Sequence, residues 1–105
     1  MQQSTNQPFT KRVLFIGRHE LNLASVLNFL YESGYDSMGA LRNDEAIRLF
    51  VEHDPHLLIL SNHVDDESKA YFKKVFLEIK PSLTILEHSG SISALKLLIE
   101  NNNNT

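Results

Sequence analysis

The sequence predicts an α/β protein in which helices cover both faces of a parallel sheet in three layers. Two runs of continuous apolar residues, 13–16 and 57–60, predict strands buried on both faces, as in parallel sheets. Between and after these runs, apolar residues recur at intervals of three and four, which predicts amphipathic helices. Strands that alternate with helices indicate right-handed crossovers onto one sheet.

The first predicted strand ends at Gly17, and the first helix runs from Leu21 to Gly34, a residue type common at helix C-caps. Asn43 or Asp44 is the predicted N-cap of the second helix. The other predicted elements are a weaker strand at 35–41, a buried strand at 57–60, a helix at 67–79, a short strand at 83–86 and a last helix from 92 to about 100. The predicted order is β-α-β-α-β-α-β-α.

Length and composition limit the possible functions. The 105 residues suit one domain, predicted at 11–100, with a disordered polar leader at 1–10 and a disordered Asn-rich tail at 101–105. The net charge of -3 argues against nucleic-acid binding, and the absence of cysteine excludes disulfides and thiolate metal sites. With no apolar run near the roughly 20 residues of a membrane helix and no signal-like leader, we expect a cytoplasmic protein without membrane contact.

Three short motifs in order carry a family resemblance. They are Gly34 with Tyr35, the run Asn43-Asp44-Glu45-Ala46, and the run Pro55-His56-Leu57-Leu58-Ile59-Leu60-Ser61. The last run is similar to Pro-Asp-Leu-Ile-Leu-Leu-Asp, which ends in the phosphoacceptor of bacterial response regulators. From residue 11 to at least residue 88 the chain therefore resembles a CheY-like receiver domain.

The resemblance also locates the departures from that family. Gly17 and Arg18 stand where the family has the acidic pair that holds Mg²⁺, and Ser61 replaces the phosphoacceptor. Glu87 falls at the Ser/Thr position, or His88 if the register shifts. Because aspartyl phosphorylation needs a carboxylate nucleophile and a cation held by oxygen ligands, we expect a pseudo-receiver with no catalytic residues and no Mg²⁺.

The family's strand order is 2-1-3-4-5, and too few residues follow Glu87 for a fifth strand and helix. We therefore expect about four strands in the order 2-1-3-4, with the last helix matching the family's fourth helix rather than its fifth. Strand four would be a bare edge. We expect a protein partner or a second copy to cover strand four and the last helix, with contacts from Leu83, Ile85, Ile92, Leu95, Leu98 and Ile99.

The leading hypothesis is a non-enzymatic signalling or adaptor domain of two-component type that acts by phosphorylation-independent protein contact. The alternative is a small metal- or ligand-binding protein, since His19, His63, His88 and Glu20 cluster at the predicted carboxyl edge and suit Zn²⁺. A truncated receiver that still accepts phosphate is a third possibility. Arg18 is expected either to replace the lost cation, paired with Glu20, Glu87 or Asp65, or to lie in solvent.

Overall fold

The computed structural model describes residues 11–103, which form four strands alternating with four helices. The strands are β1 (Arg12–Ile16), β2 (Asp36–Ala40), β3 (Leu57–Ser61) and β4 (Thr84–His88), and the helices are α1 (Glu20–Glu32), α2 (Asn43–His53), α3 (Asp66–Ile79) and α4 (Ile92–Asn103). All neighbouring strands are parallel, in the order β2-β1-β3-β4. The predicted fold class and strand order are confirmed.

Side chains that alternate along the two central strands separate two cores. On one face, the even-numbered residues of β1 and β3 pack against α2 and α3. There the ring of Phe76 stacks on Phe50, with centroids 4.1 Å apart, and on Phe72, with centroids 5.4 Å apart. On the other face, the odd-numbered residues pack against α1 and α4. Because both faces are covered, both central strands read as continuous apolar runs.

The last helix lies on the same face as α1, with Leu95 and Ile99 in the core that Val26 and Leu30 also enter. A right-handed crossover from β4 to a further strand would instead place a helix on the face of α2 and α3. The prediction that the last helix matches the family's fourth helix is therefore wrong. It is a terminal helix beside α1, and β4 is one edge of the sheet.

Several boundaries differ from the predictions. β4 covers Thr84–His88 rather than 83–86, because its pairing with β3 continues to the end of that strand. Helix α4 continues to Asn103, so the predicted tail is helical over its first three residues, whereas 104–105 and the predicted leader lie outside the described residues. Arg42, not Asn43 or Asp44, is the N-cap of α2. None of the helices in residues 11–103 is long and apolar enough to cross a membrane.

Candidate functional site at the carboxyl edge of the sheet

The loops that follow β1, β2 and β3 meet at the carboxyl edge of the sheet, where parallel α/β proteins bind ligands. Gly17 follows β1 directly and is buried. Its backbone N–H donates to the carbonyl of Ala40, at the end of β2, at 2.9 Å. A Cβ at this position would lie 3.0 Å from Cε2 of Phe15. Gly17 therefore leaves room for a ring, and it offers no side chain to a cation.

Ser61, which the sequence resemblance aligns with the family's phosphoacceptor, is the last residue of β3 and only 2% exposed. Its Oγ accepts a hydrogen bond from the backbone N–H of His63 at 3.1 Å, which fixes the turn after the strand. The hydroxyl is thus a buried structural group.

Arg18 joins the three loops. Its Nη1 donates to the carbonyls of Leu41 at 2.9 Å and Gly17 at 3.2 Å, and its Nη2 donates to Oδ1 of Asn43 at 2.6 Å. Nη2 also lies 3.9 Å from Oδ1 of Asp65. With 24% of the side chain exposed, Arg18 is an internal brace rather than a solvated residue. Of the three expected acidic partners, Asp65 is the one that it reaches.

Ser68 completes this brace by joining Asn43 to Asp65. Nδ2 of Asn43 donates to Oγ of Ser68 at 3.1 Å, and the N–H of Ser68 donates to Oδ2 of Asp65 at 2.9 Å. Asp65 is the N-cap of α3. Its hydrogen bonds with the backbone N–H and the hydroxyl of Ser68, with a smaller effect of Arg18, hold the pKa of its carboxyl below the usual range. Sequence reasoning missed Ser68, although an Asp three residues before it is a typical N-cap spacing.

Glu87 takes no part in the site around Ser61. The residue of β4 that lies beside Ser61 is His88, whereas Glu87 pairs with Leu60 and faces α3. Its carboxylate binds Nζ of Lys73 at 2.6 Å and of Lys69 at 3.2 Å, and these two bonds lower its pKa. Glu87 therefore fastens α3 to the edge strand.

Of the three histidines predicted to cluster at the carboxyl edge, His19 and His63 contact each other. His19, the N-cap of α1, contacts His63 edge-to-face, with ring centroids 4.4 Å apart. His88 is 5% exposed, and desolvation lowers the pKa of its imidazole. Within residues 11–103, no group of three or more His, Asp or Glu side chains is arranged to hold a metal ion. His19, His63, His88 and Glu20 thus supply one imidazole pair, short of the three or four protein ligands typical of zinc sites.

The expected interaction surface divides into core and surface residues. Leu83, Leu95 and Ile99 are buried in the two cores, so they cannot contact a partner. This part of the prediction is wrong. For Leu95 and Ile99, apolar residues at helical spacing mark the core face of α4, and Leu83 packs into the core between the sheet and α2 and α3. Ile85, Ile92 and Leu98 are half-buried, and Leu97 of α4 is 60% exposed.

Known structures share this arrangement. The chain superposes on the receiver domain of the hybrid histidine kinase CckA with a TM-score of 0.63 and 18% identity, covering 86% of this chain and 96% of that one. It superposes on the receiver domain of NtrC4 from Aquifex aeolicus with a TM-score of 0.62 and 23% identity, covering 88% and 78%. This chain has the fold of a receiver domain.

A receiver-domain protein from Clostridium thermocellum extends the likeness, with a TM-score of 0.58, 17% identity and coverage of 90% of this chain and 94% of that one. No family model matches the sequence, and no curated protein does. The receiver fold is therefore visible in the backbone arrangement at identities where overall sequence comparison finds no relative.

Proposed function

We propose that this chain is a signalling or adaptor domain that keeps the receiver fold and acts by protein contact without being phosphorylated. The observation that carries the proposal is the Arg18 brace, in which a guanidinium replaces the cation-binding acids of the family. Arg18 bonds to Leu41 and Asn43 beside a buried Ser61 that already accepts a backbone hydrogen bond. Among the described residues, no side chain that could act as a general base is hydrogen-bonded to the Ser61 hydroxyl, so attack on a phosphoryl donor is disfavoured.

A receiver-like setting supports the rest of the proposal. The structural neighbours are receiver domains, one of them from a hybrid histidine kinase, which favours a two-component role in the cytoplasm. Because residues 11–103 assemble no catalytic group at the carboxyl edge, we infer a non-enzymatic domain. Its output would come from contact through β4 and α4, where the edge strand and the exposed Leu97 are available to a partner or a second copy.

The decisive experiment exposes the ¹⁵N-labelled protein to beryllofluoride with Mg²⁺ and, separately, to acetyl phosphate with Mg²⁺. We expect an unchanged NMR spectrum and an unchanged intact mass, because no carboxylate stands at the end of β3. A functional receiver domain treated in parallel serves as the positive control. Amide shifts at Ser61 and its neighbours, or a gain of mass by phosphate, would contradict the proposal.

The second candidate function, metal binding, has the contact between His19 and His63 in its favour. Titration with Zn²⁺ by calorimetry discriminates the two functions. We expect no saturable heat, since two imidazoles without a third ligand bind zinc weakly. A saturable heat that His63→Gln abolishes would instead support a metal site.

A further inference from the structure

A groove of about 360 Å³ opens where α2 and α3 begin, and Asn43, Glu67, Ser68 and Tyr71 line it. A volume of this order, at the low end of the roughly 300–1,000 Å³ of small-ligand sites, accommodates one long side chain. The groove lies on the layer of α2 and α3, across the sheet from α4. It is therefore separate from the surface to which the proposed function assigns partner contact.

The inner wall of the groove is formed by Asn43 and Ser68, whose side chains are already engaged in hydrogen bonds. Asn43 receives the Arg18 guanidinium on Oδ1 and donates to Ser68 through Nδ2. Ser68 is buried, with its hydroxyl and its N–H both engaged by Asp65 and Asn43. A ligand must therefore be recognised by the two outer residues.

Those two residues are an unpaired carboxylate and an open aromatic ring. Within residues 11–103, the carboxylate of Glu67 has no hydrogen bond or ion pair. The Tyr71 side chain is 47% exposed, and its ring packs at one side on Phe72 with centroids 6.0 Å apart. Asp66 adds an exposed negative charge one residue before Glu67, and Arg18, which bonds to Asn43 at the inner wall, is already engaged.

We propose that this groove binds an arginine side chain of a partner protein. A planar guanidinium can lie against the Tyr71 ring and donate two parallel hydrogen bonds to Glu67, a combination that an ammonium matches less well. An anion would meet Glu67 and Asp66, and an apolar group would leave Glu67 unpaired. The charge and the ring thus favour one class of occupant.

The test titrates the full-length ¹⁵N-labelled protein with acetyl-Gly-Arg-Gly-amide and with the same peptide carrying citrulline, which is neutral and nearly the same shape. We expect saturable amide shifts at Glu67, Ser68 and Tyr71 with the arginine peptide. Loss of the ion pair in the citrulline peptide, or in Glu67→Gln, should weaken binding about tenfold. Tyr71→Leu should weaken it several-fold.

Glu78→Gln is the matched control, because Glu78 is an exposed carboxylate on the same helix, away from the groove. It should leave the affinity unchanged. Equal affinity for both peptides, or no shifts at the groove, would overturn the proposal. So would an equal loss of affinity in Glu67→Gln and Glu78→Gln. Because both peptides are tested on the unaltered protein, failure of a variant to fold cannot decide the outcome.

Discussion

Arg18 holds the carboxyl edge of the sheet together through a single guanidinium. It binds a carbonyl at the end of each of two neighbouring strands, and it reaches the α2 and α3 termini through Asn43 and Asp65. The resemblance predicts that receiver domains hold a cation between acidic residues at this point. In this chain the positive charge is the guanidinium of Arg18. A permanently bound charge favours one conformation of the three loops.

Arg18→Ala should therefore destabilise the protein. Loss of the charged hydrogen bonds, with two loop carbonyls left to water, should cost about 1–3 kcal/mol. That loss corresponds to about 4–8 °C in melting temperature per kcal/mol for a domain of this size. The measurement is urea unfolding with thermal melting.

Arg48→Ala is the matched control, because Arg48 forms an exposed ion pair with Glu52 on α2, at 3.2 Å. Pairs of this kind contribute about 0.3–0.5 kcal/mol. If both arginine variants lost the same small stability, Arg18 would not be a brace.

His88 gives the protein a predictable dependence on pH. Burial lowers the pKa of its imidazole below the ordinary value of 6.5, so the folded state favours the neutral ring. As pH falls below about 6.5, the unfolded chain takes up this proton before the folded chain does. The contribution of the neutral His88 ring to the free energy of unfolding should therefore be complete above pH 6.5. It should decline as the pH falls from 6.5 toward the pKa of His88 in the folded state.

Urea unfolding at several values between pH 7.5 and pH 5 measures this decline. His88→Gln should flatten the dependence relative to the parent. An identical pH profile in the parent and in His88→Gln would exclude the buried imidazole as its source.

At the scale of elements, Gly39 determines how closely α1 packs on β2. A Cβ at Gly39 would lie 2.5 Å from Cδ1 of Leu23 and 2.9 Å from Cδ1 of Leu27. Both leucines are half-buried and pack against the core shared by α1 and α4, so a methyl group at Gly39 can be accommodated only if their side chains shift.

Gly39→Ala should therefore destabilise the protein by about 1–3 kcal/mol through overpacking. The check is a double-mutant cycle with Leu23→Ala, which removes the side chain that the new methyl group meets. We expect the double variant to lose less stability than the sum of the two single losses. Strict additivity would show that α1 does not press on Gly39.

The charged pairs of α3 act on the same scale. Lys69 and Lys73 bind Glu87 on β4, and Lys80 binds Asp54 and the carbonyl of Pro55 before β3. These contacts align α3 with two strands from its first turns to its end. The charge of Glu87 on the flank of the edge strand also discourages unspecific strand pairing.

At the scale of the whole molecule, β4 and α4 leave one side of the protein uncovered. The outer edge of β4 pairs with no strand among the described residues, and Leu97 projects from α4. We expect a concentration-dependent dimer in light scattering. Leu97→Lys should weaken it, because it places a charge in an apolar contact.

Val51→Lys is the control for this prediction, since Val51 is a comparably exposed apolar residue on α2, in the opposite layer. It should leave association unchanged. A monomer at every concentration would contradict self-association and leave a different protein as the partner of this surface.

The sequence alone determined the fold class, because continuous apolar runs and helical periodicity are local consequences of strands buried on both faces and helices buried on one. It also predicts that Gly17, Arg18 and Ser61 depart from the receiver pattern. The tertiary structure decided which face α4 covers, since the same apolar spacing suits either face of a sheet. It also decided that Arg18 bonds to Asn43, that His88 rather than Glu87 lies beside Ser61, and that Glu67 and Tyr71 share a groove. These contacts join residues far apart in the chain, and strand register and helix packing, which no local pattern specifies, bring them together.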